Sequence, residues 1–69
     1  MRMNLTLNGS LFDFNGNMLL ALLEKQGIQA GQGGIAVAVN ERVVPRSRWV
    51  EVDLQAGDRI EIVRAIAGG

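Results

Sequence analysis

The dipeptide Asn8-Gly9 restricts the fold of this chain more than any other feature. Both residue types tolerate positive φ, as a two-residue type I′ turn requires. The flanks alternate apolar and polar, with Met3, Leu5 and Leu7 ahead of the turn and Phe12 and Phe14 behind it. A two-residue turn sets Leu5 opposite Phe12 and Met3 opposite Phe14. Both pairs then share one face, so register and burial agree. Residues 3–14 therefore read as a β-hairpin with one apolar face that needs a cover.

The next segment can supply that cover. Asn15-Gly16-Asn17 interrupts the alternation, and Asn17 is a good helix N-cap. Met18, Leu19, Leu22 and Leu23 fall on one helical stripe, and Gly27 is the stop signal. A helix of roughly two and a half turns, at about 3.6 residues per turn, holds together only when packed on a sheet. Leu20 points away from the stripe and is expected to be exposed.

Residues 29–34 form a Gly-rich loop, and Ile35-Ala36-Val37-Ala38-Val39 has the apolar run of an interior strand. Asn40-Glu41 turns the chain into Arg42-Val43-Val44, where Pro45 ends the ladder. Pro45-Arg46-Ser47-Arg48-Trp49 reads as a loop or a single helical turn. Val50, Val52 and Leu54 alternate with Glu51 and Asp53, the pattern of an edge-type strand. After the Ala56-Gly57-Asp58 turn comes a last strand, with Ile60 and Ile62 inward and Arg59 and Glu61 outward. The order is hairpin, helix, hairpin, strand. It predicts an α+β fold of one domain over residues 1–69, a mixed sheet of about five strands packed on one helix. A chain this small suits the β-grasp arrangement, in which the C-terminal strand lies centrally beside the first.

Composition narrows the function. The 69 residues include no Cys and no His, so neither disulfides nor a Cys/His-bound metal can support the fold. Stability must come from apolar packing, for which 48% apolar content suffices. Seven basic and seven acidic residues cancel, so the electrostatic footprint of a nucleic-acid or membrane-surface binder is missing. No targeting segment is visible, and the longest apolar run, residues 18–23, is far short of a membrane span. A cytoplasmic setting is expected, with neither membrane nor nucleic acid as partner and no cofactor.

Side chains for covalent chemistry are scarce. With Cys, His and Tyr all absent, no imidazole can serve as a general base and no thiol as a nucleophile. Glu51 and Asp53 could be imagined as paired carboxylates, but a solvated edge accounts for them. Asp53 and Asp58 lack the further ligands of a metal site. Gly31-Gln32-Gly33-Gly34-Ile35-Ala36 has the spacing of a dinucleotide-binding loop but follows a helix and enters a strand, the wrong context. Arg42, Arg46 and Arg48 with Trp49 are either a solvated loop with the indole folded onto the core or a protein-docking patch. Zero net charge and three aromatics (two Phe, one Trp) argue against nucleic acid there. What remains is the end of the chain. Gly68-Gly69 puts an α-carboxylate on a lever without side chains, just beyond the last strand, able to thread a narrow channel. In a chain with nine Gly, that pair carries weight only through the body it is attached to.

Three stretches give it that weight. Val39-Asn40-Glu41-Arg42-Val43-Val44-Pro45-Arg46-Ser47-Arg48-Trp49 is similar to a VN-x(3)-VPR-x(2)-W segment of a known family. Gly57-Asp58-Arg59-Ile60-Glu61-Ile62-Val63 resembles its GD-x-IEIV strand entry, and Ile66-Ala67-Gly68-Gly69 its terminal I-x-GG. The family is that of the thiamine-biosynthesis sulfur carriers, ThiS. Departures are an Asn17-Met18 helix start where a Thr-Val type is common, and the glycine-heavy loop at 29–34. The resemblance implies a β-grasp carrier whose Gly69 carboxylate is adenylated by an E1-like, ATP-using enzyme. Sulfur from a persulfide donor then makes a thiocarboxylate, which thiazole synthase consumes for the thiazole of thiamine. Ala67 and Gly68 form the tail, and the carrier is a co-substrate of its partner enzymes. Leu20, Arg46, Arg48, Arg59 and Glu61 are the expected docking residues. Alternatives are the small subunit of molybdopterin synthase, a lysine-conjugated modifier, or a β-grasp interaction or RNA-binding domain with an incidental glycine tail. The Val44-Pro45-Arg46 to Trp49 segment favours the thiamine branch.

Overall fold

The hairpin forms as its residues require. In the computed structural model, which describes residues 2–29 and 32–65, Asn8 and Gly9 take φ of 49° and 84°. They join β1 (Arg2–Leu7) to β2 (Ser10–Asn15) in antiparallel register, Leu5 opposite Phe12 and Met3 opposite Phe14. Met3, Leu5 and Phe14 are buried and Phe12 is half-buried, so the face predicted to need a cover has one.

The cover is α1 (Leu19–Lys25), whose Leu19, Leu22 and Leu23 are fully buried. It starts later than the sequence suggests. The N-cap position is Met18 in extended backbone, and no side chain caps the helix, so Asn17 does not act as the N-cap. Main chain does the work instead. The Leu19 N–H donates to Val52 O at 3.0 Å, and Leu54 N–H donates to Asn17 O at 2.6 Å. One donor that every helix start leaves unpaired is thereby satisfied without a side chain. Met18, outside the helix, is 40% exposed and does not belong to the buried stripe. At the other end the stop is as expected. Gly27 sits at φ 83°, and the Ile28 N–H reaches back to Leu23 O at 3.0 Å, the closing bond of a Schellman-type end.

The same main-chain contacts correct a second expectation. Residues 50–54 do not form an edge strand. Arg46–Glu51 is a 3₁₀ helix, and the stretch after it makes a single bridge, Asp53 with Met18, next to the helix start. Pro45 at φ −58° presets the turn, and the Arg48 N–H closes onto Pro45 O at 2.8 Å. The compact turn drives Trp49 into the core, 2% exposed, with its indole N–H donating to Val44 O at 3.0 Å. Leu54 is buried while Val50 is 55% exposed, so the alternation in this stretch does not mark one shared face.

Strands β3 (Ile35–Val39), β4 (Arg42–Val44) and β5 (Arg59–Arg64) complete a five-stranded mixed sheet in the order β2-β1-β5-β3-β4. The last strand is central, parallel to β1 and antiparallel to β3, as the β-grasp reading requires. Ile28, Val37, Leu54 and Ile60 close the core between sheet and helix. No helix among the described residues is long and apolar enough to cross a membrane.

Trp49 is the largest side chain in that core. Trp49→Ala is expected to cost about 3–5 kcal/mol by cavity formation, a large share of the roughly 5–15 kcal/mol typical of native domains. Trp49→Phe should cost less, because the ring volume largely remains while the bond to Val44 is lost. Urea denaturation followed by circular dichroism measures both, and equal losses would mean that the indole does not fill the core.

Candidate functional site

Gly69, Gly68 and Ala67, the expected reacting residue and its tail, lie outside the described residues. What the structure describes is the strand that leads to them and how it is held. On the β3 side, Asn40 N–H donates to Arg59 O and Ala65 N–H donates to Gly34 O, both at 2.7 Å. On the β1 side, Thr6 N–H donates to Asp58 O and Asn8 N–H to Ile60 O, both at 2.9 Å. The two turn asparagines add their side chains. Asn40 Oδ1 accepts from Arg59 N–H at 2.9 Å while its Nδ2 donates to Asp58 Oδ1 at 3.0 Å. Asn8 Oδ1 accepts from Ile62 N–H at 2.8 Å. Both asparagines stand in left-handed backbone, φ 49° and 52°, which Asn tolerates better than most residues because its short side chain can bond locally.

Period-two alternation sorts the side chains of β5. Ile60 and Ile62 face the helix, whereas Arg59, Glu61 and Val63 stand exposed on the opposite, open face of the sheet. Arg59 pairs with Glu41 at 3.2 Å, an exposed contact of little energetic weight. Beside them, Ala36 pairs with Val63, and Ala38 with both Glu61 and Val43. The two alanines are too small to shield their neighbours, leaving Val63 63% and Val43 74% exposed. Sequence reasoning missed these two valines. The signal was present, since Val63 shares the parity of Arg59 and Glu61.

The five expected docking residues do not form one surface. Arg59 and Glu61 occupy the open face. Leu20 is on α1, half-buried rather than freely exposed. Arg46 and Arg48 are on the 3₁₀ helix that packs against α1. The Arg46 guanidinium lies 5.0 Å from the centroid of the Trp49 ring, a cation–π contact, and Arg48 pairs with Glu51 at 3.6 Å. The Arg/Trp cluster therefore resolves into a surface stacked on a core indole. Glu51 and Asp53 are exposed, and among the described residues no group of three or more acidic, His or Cys side chains could hold a metal. The Gly33-Gly34 stretch is a loop that enters β3, with Gly34 at φ 76°.

Comparison with known proteins bears on the same elements. The family model described as the ThiS family matches residues 5–69. The chain is 39% identical over 54 residues to the sulfur carrier protein ThiS of Escherichia coli, covering 78% of this chain and 79% of that protein. It is also 37% identical over 68 residues to a thiazole synthase of Paramagnetospirillum magneticum, covering 97% of this chain but only 20% of that protein's length. Among solved structures, the thiamine biosynthesis protein ThiS of Geobacter metallireducens superposes with a TM-score of 0.77 at 27% identity, over 97% of this chain and 100% of the other. A complex of subunits 1 and 2 of the molybdopterin-converting factor from Helicobacter pylori matches with a TM-score of 0.56 at 23% identity, over the full length of both chains. At that identity the likeness is one of fold.

Glu41 sits at φ 71°, in the second position of a two-residue turn where glycine is the favoured residue. Glu41→Gly is expected to raise stability by about 1 kcal/mol, because relief of the left-handed backbone outweighs loss of an exposed ion pair. A lowered denaturation midpoint would show that the Arg59 pair is the stronger effect.

Proposed function

The chain belongs to the ThiS family, and on that premise we propose that it is a sulfur carrier for thiazole formation in thiamine biosynthesis. It acts in the cytoplasm as a protein co-substrate rather than as an enzyme. The observation that carries this reading is the extent of the family match, which runs through Gly68 and Gly69. The body fits the role. Its central strand is anchored from both sides and ends a few residues before Gly68-Gly69 in the sequence, and the sequence has no Cys, His or Tyr with which to catalyse a reaction of its own.

A carboxylate is a poor electrophile, so the Gly69 carboxylate must first be activated. An E1-like partner joins it to the α-phosphorus of ATP, and pyrophosphate leaves. The terminal sulfur of a persulfide donor then displaces AMP from the acyl carbon to give an acyl disulfide. A second thiol attacks the donor's sulfur, forming a disulfide with it and releasing the thiocarboxylate. The catalytic groups belong to the partners, and the carrier contributes reach and a slim approach. Thiazole synthase is the proposed acceptor. A protein of that name contains a stretch similar to this whole chain within one-fifth of its length. A carrier joined to the enzyme that consumes its sulfur would explain that arrangement.

Docking is proposed to centre on Arg59 and Glu61, which lie on the strand that launches the tail. Leu20, Arg46 and Arg48 sit on the opposite layer and would be met only by a partner that wraps around the carrier. Rim charges act mainly on association rate. The turnover of wild-type chain should therefore fall as salt rises.

Intact mass after incubation with ATP, the activating enzyme and a sulfur donor tests the reading. One oxygen replaced by sulfur at the C-terminus is the expected result. One residue added after Gly69 should abolish that product and leave the fold intact. Unchanged product from the extended chain would sink the carrier assignment. Gly68→Val should lower kcat/KM for adenylation about a hundredfold by misplacing the carboxylate in a narrow channel. Its Tm should stay at the wild-type value, and efficient turnover of the variant would remove the argument for a slim tail.

A further inference from the structure

Strand β5 is central in the sheet, yet among the described residues half of one of its edges has no strand beside it. Its odd-numbered residues direct their main-chain groups toward β3, as the bonds at Arg59 O and Ala65 N–H show. Its even-numbered residues direct theirs toward β1, as the bonds at Asp58 O and Ile60 O show. But β1 ends at Leu7, where the chain reverses through Asn8-Gly9, so β1 pairs only with Arg59 and Ile60. In a continued parallel ladder the Ile62 N–H would meet the main chain of Asn8. It meets the Asn8 side chain instead, at 2.8 Å. Ile62 C=O and Arg64 N–H point the same way, and among the described residues neither has a hydrogen-bond partner.

Unpaired strand edges invite another chain, and proteins normally blunt them with charge, proline or a covering element. Here the charge that could blunt the edge is drawn aside. The Arg64 guanidinium donates from Nη2 to Gln26 O at 3.0 Å, at the C-terminal end of α1. The turn at Asn8-Gly9 closes one end of the slot. An incoming strand would lie in line with β1 and run beside Ile62 and Arg64.

We propose that this half-edge receives an extended segment of the protein that takes up the tail. That segment pairs main chain to main chain with Ile62 C=O and Arg64 N–H, so that β5 and the partner share one sheet. The proposal rests on the carrier reading, which requires the residues beyond β5 to lie inside a partner. Gly68 and Gly69 offer no side chains for recognition, and strand addition needs none. The occupant is placed on this edge, rather than on β2 or β4 at the rims, because only β5 continues into the tail.

Proline at position 64 isolates the interaction. Its missing N–H would face the bare edge and not the β3 ladder, a setting in which a sheet accepts proline. Arg64→Ala supplies the comparison, since it keeps the N–H and removes only the contact with Gln26. With the activating enzyme, ATP–pyrophosphate exchange by Arg64→Pro should show kcat/KM at least about tenfold below that of Arg64→Ala, the weight of one lost hydrogen bond plus the blocked approach. In the wild-type chain, amide hydrogen exchange at Arg64 should slow when the enzyme is added, a measurement that stands even if Arg64→Pro fails to fold. Equal kcat/KM for the two folded variants, or an Arg64 amide that exchanges as fast in the complex as alone, would overturn the proposal while wild-type turnover keeps the carrier reading intact. A wild-type chain that is not turned over would remove the carrier reading and this occupant with it. Self-association of the wild-type chain that Arg64→Pro abolishes would assign the edge to a second copy and overturn the proposal.

Discussion

The structure depends on how a strand near the C-terminal end is fastened into the middle of a sheet. Strand β5 meets β1 across most of the chain, and the Asn8–Ile62 bond joins residues 54 apart. Pairings of that range pay their loop-closure entropy before they return any contact energy. The two hairpins, by contrast, are local. Each ends in an asparagine at positive φ, and each asparagine puts its side-chain oxygen on a main-chain N–H of β5. The turns that let the hairpins form are thus also the clamps that hold the central strand between them. A substitution at Asn8 or Asn40 acts on both links, local turn and long-range ladder.

A domain of this size has little core to spare, and main chain supplies several stabilising contacts that larger domains obtain from side chains. The helix is short and begins without a side-chain cap. Its first turn is held by Val52 O, while Asn17 O holds Leu54 in return. That exchange fixes where the 3₁₀ helix ends and so where Trp49 enters the core. Arg46 covers the outer face of the indole, and the N–H on its edge is satisfied by Val44 O. The Val44-Pro45-Arg46 to Trp49 segment is therefore first a packing unit, with Pro45 setting the turn, Trp49 the plug and Arg46 the lid. Any docking role for Arg46 would compete with its place over the ring.

How much could be read from the sequence depends on the range of the forces involved. The β1–β2 register came out of two turn residues and an alternation, because both act within a dozen positions. The central placement of β5 came from element order and chain size. Residues 50–54 misled because alternation in five residues reports exposure on two sides, not hydrogen bonding to a strand. Only the tertiary position of Met18 shows where that stretch is bonded. Asn17 misled for a related reason, since a residue with the right cap chemistry is not needed where another segment's carbonyl already fills the position. The bare half-edge of β5 was not legible at all. It arises from where β1 stops relative to β5, a matter of three-dimensional stagger that no local pattern records.

The division of labour between body and tail then has a physical basis. Reactivity at a terminal carboxylate needs reach and the absence of side chains, both of which weaken folding when they occur inside a domain. Placing β5 centrally separates the two demands at Ala65, the last described residue, whose N–H still belongs to the β3 ladder. Up to that point the strand is bonded on the β3 side by every odd residue. On the β1 side the bonding among the described residues ends at the Asn8 side chain. Beyond Asn8, Ile62 C=O and Arg64 N–H have no hydrogen-bond partner among the described residues. On the proposed carrier reading, a chain without Cys, His or Tyr takes part in chemistry through its partners. What its body contributes is the direction of β5 and the side on which that strand's described groups are unpaired.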